Sequence, residues 1–264
     1  MIRRIVPILM LAMLAFAVPA HAQDTSTVTI LHGVPGLDVD VYANDDVLVS
    51  DFAPGDSFGP AELPAGDYDI AVRPAGDDAD SDPAIAAPIT VPAGVNATAV
   101  AHLDADGAPT LTVFVNDVST IDAGEARLVV RHTAAFGAVD VLAGGDALIS
   151  SLSNPDEAAM DVPAATYDVA VTAAGDASTE ALRTDLTLEE GTAYFVHAIG
   201  DPTEGTFDVL VQTIDGLHTS PSAVDTGSGG LAAGSGIGLP VAVALLALAL
   251  LGLGVATPAL ARRR

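Results

Sequence analysis

The chain of 264 residues has no cysteine, no tryptophan and no lysine. Without cysteine there is no thiolate nucleophile, cysteine-ligated zinc, iron–sulfur cluster or thioether-linked haem, and no disulfide to hold a small exported fold together. Such a chain depends on hydrophobic cores alone, which calls for domains of reasonable size. Without tryptophan there is no indole platform for stacking a sugar, although Tyr42, Tyr68, Tyr167 and Tyr194 remain as single aromatic contacts. Without lysine all nine basic residues are arginine, and five of these lie at the extreme ends. The signatures of several enzyme classes are missing as well: no HExxH, no Gly-x-Ser-x-Gly elbow and no glycine-rich phosphate loop. The many aspartates are scattered through turns, and no pair stands out as a glycosidase acid and base.

The ends of the chain are the most legible part. Arg3 and Arg4, the apolar run from Ile5 to Val18 and the small-residue site "AHA" have the layout of a secretory signal over residues 1–22. At the other end, "GIGLPVAVALLALALLGLGVATPALA" carries no charge and is followed by Arg262, Arg263 and Arg264. About twenty apolar residues cross a bilayer core, and a basic cluster directly after them marks the cytoplasmic side. The expectation is a transmembrane helix over residues 237–258, a cytoplasmic tail over 259–264 and a Gly/Ser-rich linker over 219–236. A sorting signal for covalent cell-wall attachment shares this layout, but its candidate motif "AVDTG", Ala223 to Gly227, lacks the leucine and the proline or alanine of such signals. The middle is then an exported ectodomain at the cell surface, held to the membrane by its C-terminal anchor.

That middle region is strongly acidic. Four arginines (Arg73, Arg127, Arg131, Arg183) face all thirty-five carboxylates, a net charge of −31. Such a field repels nucleic acid and anionic headgroups and keeps the surface hydrated in high salt. Nucleic acid is therefore not an expected partner.

An internal repeat organises the ectodomain. "TVTILHGVPGLDVDVYANDDVLVSDF" from Thr27 and "RLVVRHTAAFGAVDVLAGGDALISSL" from Arg127 align without a gap at an offset of one hundred. One deletion later, "LPAGDYDIAVRPAG" from Leu63 meets "VPAATYDVAVTAAG" from Val162. Short runs rich in Val, Ile, Thr and Tyr alternate with period two and are separated by Pro-Gly, Asn-Asp and Ala-Gly turns. Roughly seven such runs per hundred residues predict an all-β fold of two tandem antiparallel β-sandwiches, immunoglobulin- or transthyretin-like, over residues 23–121 and 122–218.

In its order of parts the first copy resembles the family known as domain of unknown function 4397, found in exported bacterial and archaeal proteins. In that family a strand ending in Val-His leads through a Pro-containing loop to a Val-Asp-Val-Tyr strand, and a Pro-Ala-Gly-x-Tyr turn follows. His32, Pro35, Val39, Asp40, Val41, Tyr42, Pro64, Ala65, Gly66 and Tyr68 carry the resemblance. The second copy keeps His132, Val139, Asp140, Val141, Pro163, Ala164 and Tyr167 but has Ala135, Leu142 and Ala165 where the first has proline, tyrosine and glycine. The resemblance implies an exported β-domain and assigns no chemistry.

Two readings of the repeated polar residues compete. His32 with Asp38 or Asp40 and His132 with Asp140 are candidate metal-ligating or catalytic pairs, since a carboxylate can orient a neutral imidazole. In the structural reading the histidine at a strand end caps the sheet edge or hydrogen-bonds a loop carbonyl, and the aspartate sits on the opposite face from Val39 and Val41. His102 and His197 follow late apolar strands and could approach the first pair in space. Calcium is the one candidate cofactor, through the acidic loops "DDADSD" (Asp77–Asp82) and "DADG" (Asp104–Gly107); neither has the glycine and distant glutamate of an EF-hand. The reading that fits most of the sequence is a non-enzymatic cell-surface protein with a structural, adhesive or ligand-binding role, whose partners would be envelope or extracellular proteins or glycans. The alternative is a metal-dependent module or enzyme centred on the histidines.

Overall fold

The computed structural model describes residues 25–218; the signal, linker, transmembrane helix and tail expected at the ends lie outside the described residues. Among the described residues there is no helix long and apolar enough to cross a membrane. The described chain is all-β. Its first half contains β1 (Thr25–His32), β2 (Val39–Ala43), β3 (Asp46–Phe52), β4 (Ser57–Pro64), β5 (Gly66–Pro74), β6 (Ile85–Val91), β7 (Asn96–Leu103) and β8 (Pro109–Asn116). The second half repeats the series as β9 (Glu125–His132), β10 (Val139–Ala143), β11 (Asp146–Leu152), β12 (Glu157–Pro163), β13 (Thr166–Ala173), β14 (Asp176–Thr187), β15 (Ala193–Ile199) and β16 (Asp208–Ile214).

Each half forms two four-stranded sheets. An inner sheet has the order β4-β1-β7-β8, matched by β12-β9-β15-β16; an outer sheet has the order β3-β2-β5-β6, matched by β11-β10-β13-β14. Eight strands per copy replace the seven expected, and the sheets are not purely antiparallel. β1 runs parallel to β7, and β9 to β15. The reason is topological: the chain passes through the other sheet before β7 returns beside β1, so the pair is not a hairpin and nothing forces it antiparallel.

Alternation sends one side of each strand into the space between the two sheets of a copy. In the first copy Ile30, Val39, Val41, Phe52, Ile70 and Val72 meet there; in the second Leu128, Val130, Val139, Val141, Leu152 and Val171 do the same. The core strands of the inner sheets are buried on both faces. β7 and β9 are buried along all but their first residue, because the second face of each inner sheet packs against the other copy. Leu210 of β16 joins Leu31, Val100 and Phe114 of the first copy. The approach is close: a Cβ on Gly33 would lie 2.7 Å from the Ile199 side chain, so a side chain there would push the copies apart.

The two cores are not packed alike. The register of β7 on β1 and of β15 on β9 makes Ala97 and Ala99 the counterparts of Tyr194 and Val196. The smaller pair leaves an apolar cavity of about 30 Å³ in the first sandwich, lined by Ala99, Ile30, Val41, Ile70 and Leu111 among others, against about 10 Å³ in the second. Filling such space recovers lost contacts. Ala99→Val, which gives the first copy the residue the second already has, is expected to raise the thermal midpoint by about 2–4 °C, or about 1 kcal/mol. Calorimetry checks this; a lowered midpoint would mean that two methyl groups overfill the site.

Candidate functional site

The repeated histidine and aspartate do not meet. His32 closes β1 with its ring turned inward, stacked on Phe52 at 5.6 Å between centroids, and its Nε2–H donates to the Leu37 carbonyl at 2.8 Å. His132 repeats the contact, with Nε2–H donating to the Gly137 carbonyl at 2.9 Å. Because a carbonyl only accepts, both rings carry their proton on Nε2. Burial pushes both below the ordinary histidine value, partly offset by these carbonyl bonds.

Asp40 and Asp140 point to the other face of the outer sheet and are spent on backbone. Asp40 accepts N–H bonds from Asp51 at 2.9 Å and Gly76 at 3.3 Å. Asp140 accepts from Ser151 and Gly175, both at 2.8 Å. All four donors belong to residues with positive φ, from 51° at Asp51 to 83° at Gly76. The carboxylate therefore pins two left-handed bends, one of them beside the bulge where β3 or β11 slips register. The bonds from Gly175 and then Ser151 hold the Asp140 carboxyl below the usual carboxylate range.

The tyrosine of the Pro-Ala-Gly-x-Tyr element has a parallel role. Tyr68 donates to the Pro64 carbonyl at 2.7 Å and Tyr167 to that of Pro163 at 2.8 Å, while both rings pack on the cores. In the loop proposed for calcium, the Asp104 carboxylate is turned onto the N–H groups of Asp106 and Ala108. Among the described residues no group of three or more His, Asp or Glu is arranged to hold a metal ion.

Polar side chains do converge at a place that no motif marked: the seam between the two inner sheets. Arg131, on β9, is fully buried. Its guanidinium lies 4.5 Å from the centroid of Phe114, on the first copy, and 4.9 Å from that of Phe195, on the second. Nε donates to Glu157 at 2.9 Å and Nη2 to Asn116 Oδ1 at 2.8 Å. Asn116 in turn donates to Asn96 and Thr98, and Thr98 to Gln212 Oε1 of the second copy at 2.8 Å; Gln212 returns a bond of 3.3 Å to Thr29. By register Glu157, Arg131 and His197 are neighbours in one row across three strands. His197 sits at 6.3 Å, edge on, from the Phe114 ring, and both its nitrogens lack a partner among the described residues. Burial, then the charge of Arg131, then His102 push its pKa down to about 3. His102 donates from Nδ1 to the Leu103 carbonyl and accepts from Thr112 at Nε2, both at 2.8 Å, and is likewise lowered, chiefly by burial.

Sequence reasoning passed over Arg131 because a single arginine in "VVRH" gives no local sign of burial. The available signal was the alignment, in which Arg131 stands opposite Leu31 and, through strand register, His197 opposite Val100. Polar residues at positions that are apolar in the other copy are informative when the strand is buried on both faces.

The other arginines are engaged too. Arg127 pairs with Asp117 and Asp161, Arg183 with Asp168 and Glu180, and Arg73 donates to the Ser81 carbonyl and lies over Tyr42 at 5.0 Å. Every guanidinium among the described residues is therefore already held by this chain, and the surface is left anionic.

Sheet order and contacts define the class: an all-β protein of four four-stranded sheets arranged as sandwich-like domains. Residues 26–142, from β1 into β10, match the family described as domain of unknown function (DUF4397). No curated protein matches the chain. Among solved structures, the Bacillus anthracis TIE protein is similar over 67% of this chain and 33% of its own length, at 16% identity and a TM-score of 0.21. The chain thus spans about a third of that structure, and a likeness this weak carries no inference.

The buried ion pair makes an asymmetric prediction. Glu157→Ala strands a buried guanidinium, and because the Glu157 side chain is 39% exposed the expected cost is about 2–3 kcal/mol, below that of breaking a fully buried pair. Arg131→Leu, the residue of the other copy, leaves only a carboxylate that can reach water and is expected to cost less. Denaturant unfolding of both variants checks the order.

Proposed function

We propose that this is a non-enzymatic cell-surface protein whose two sandwiches form a rigid display or adhesion module, exported by residues 1–22 and held by a helix over residues 237–258 on a flexible linker. One observation carries the reading. The side chains that chemistry would need, His32 and His132 with Asp40 and Asp140, are all engaged in fixing the chain's own backbone. Their recurrence after one hundred residues follows from a fold used twice. Support for exposure comes from the anionic surface and from the terminal segments.

In this reading partners engage the outer-sheet loops, since a rigid scaffold presents binding at its connections. The acidic surface favours proteins or glycans without strong negative charge. The metal-module alternative would use the Nδ1 lone pair of His32 or His132 and needs further ligands beside it, and among the described residues no group of three or more His, Asp or Glu is arranged to supply them.

Two experiments test the proposal. Protease treatment of intact cells is expected to remove the ectodomain, and a chain ending before Gly236 is expected to appear in the medium; retention of that shortened chain inside the cell would refute surface display. In the second, His32→Ala with His132→Ala is expected to lower the thermal midpoint, and calcium or a chelator to leave it unmoved. A stable double variant that has lost a metal-dependent shift would overturn the reading in favour of a metal module.

A further inference from the structure

The two faces that meet in the seam differ in kind. The first copy offers Leu31, Val100 and Phe114, and the second offers Arg131, Phe195 and His197 at the centre of its sheet. We propose that the seam is an acid-labile joint: on acidification the two sandwiches part between their inner sheets while each stays folded. This inference goes beyond the display function and does not depend on it.

His197 is ringed by groups that carry no negative charge. From β9 it faces Arg131 and from β7 it faces His102, while on β8 the neighbour is Phe114 and on β16 its register partner is Leu210. None of these is anionic, and the imidazole has no hydrogen-bond partner among the described residues. A proton taken up there places a second positive charge beside a buried guanidinium. The nearest carboxylates serve other groups. Glu157 faces Arg131, Asp104 faces His102, Asp156 faces His132, and Asp38 and Asp56 face His32.

The second support is the contrast with the titratable groups inside the sandwiches: His32 and His132 are buried there, but each donates Nε2–H to a loop carbonyl and faces a carboxylate, Asp38 and Asp56 for His32 and Asp156 for His132, whereas His197 has neither. Acid therefore acts on the seam before the cores. In the closed joint His197 stays neutral, whereas in the open joint water reaches the ring and it titrates near the ordinary 6.5. Above that value closure costs nothing. Below it the open form binds a proton that the closed form refuses, so opening is favoured by up to about tenfold per pH unit for this ring, with His102 adding in the same direction.

The absence of cysteine makes the test direct. In the full-length protein, Val47→Cys on β3 and Thr184→Cys on β14, both exposed, take spin labels on the outer sheets of the two copies. Their separation by electron–electron double resonance and the β-sheet signal by circular dichroism are followed from about pH 7.5 to about pH 4. The expected result is a longer, broader distance distribution at a pH where the β signal is intact. His197→Val, which imports the counterpart Val100, should lower the opening midpoint by about one pH unit. His102→Ile, which imports the counterpart Ile199, should lower it too and serves if His197→Val fails to fold. The proposal is overturned if distance and β signal change together, or if a folded variant opens at the same pH as the parent.

Discussion

A full positive charge with no access to water is the constraint around which this molecule is arranged. Arg131 cannot be buried alone: it needs the Glu157 carboxylate from its own sheet, the Asn116 carbonyl from the other copy, and the faces of Phe114 and Phe195 above and below it. Two of those four partners belong to the first copy, so the guanidinium keeps them all only when the copies dock in one register. Thr98, Gln212 and Thr29 extend the same requirement along the seam. A contact built from Leu31-like residues on both sides would tolerate sliding, whereas hydrogen bonds of fixed geometry do not.

The fold was legible where a signal was local. Strand alternation, the turns between strands and the repeat at one hundred residues predicted two β-sandwiches. The loop-carbonyl contact of His32 could be anticipated because the histidine ended an apolar run beside a tight loop. Less was visible where partners are far apart in sequence. The parallel pairing of β1 with β7 depends on the path between them, and β7, buried on both faces, reads as an ordinary apolar strand. The role of Asp40 was half visible. Its outward direction followed from Val39 and Val41, but the donors it serves are eleven and thirty-six residues away, in bends whose positive φ no motif announced.

Two kinds of divergence between the copies bear on how they pack. Inside the sandwiches Ala97 and Ala99 stand against Tyr194 and Val196, which changes how tightly a core is filled and leaves its topology alone. On the seam Leu31 and Val100 stand against Arg131 and His197, which makes the two faces complementary instead of alike. The residues that define bends and strand ends, Asp40 with Asp140 and His32 with His132, recur unchanged.

Complementary but unlike faces have a further consequence for assembly. Tandem domains that join head to tail carry an open face at each end and can propagate into arrays or fibres. In this chain each inner sheet has a single face to give, and one intramolecular pairing uses both. The outer sheets turn carboxylate-studded strands to solvent, so no second seam of the same kind is on offer. Duplication among the described residues thus gives a closed pair of sandwiches whose exteriors carry the same sign of charge.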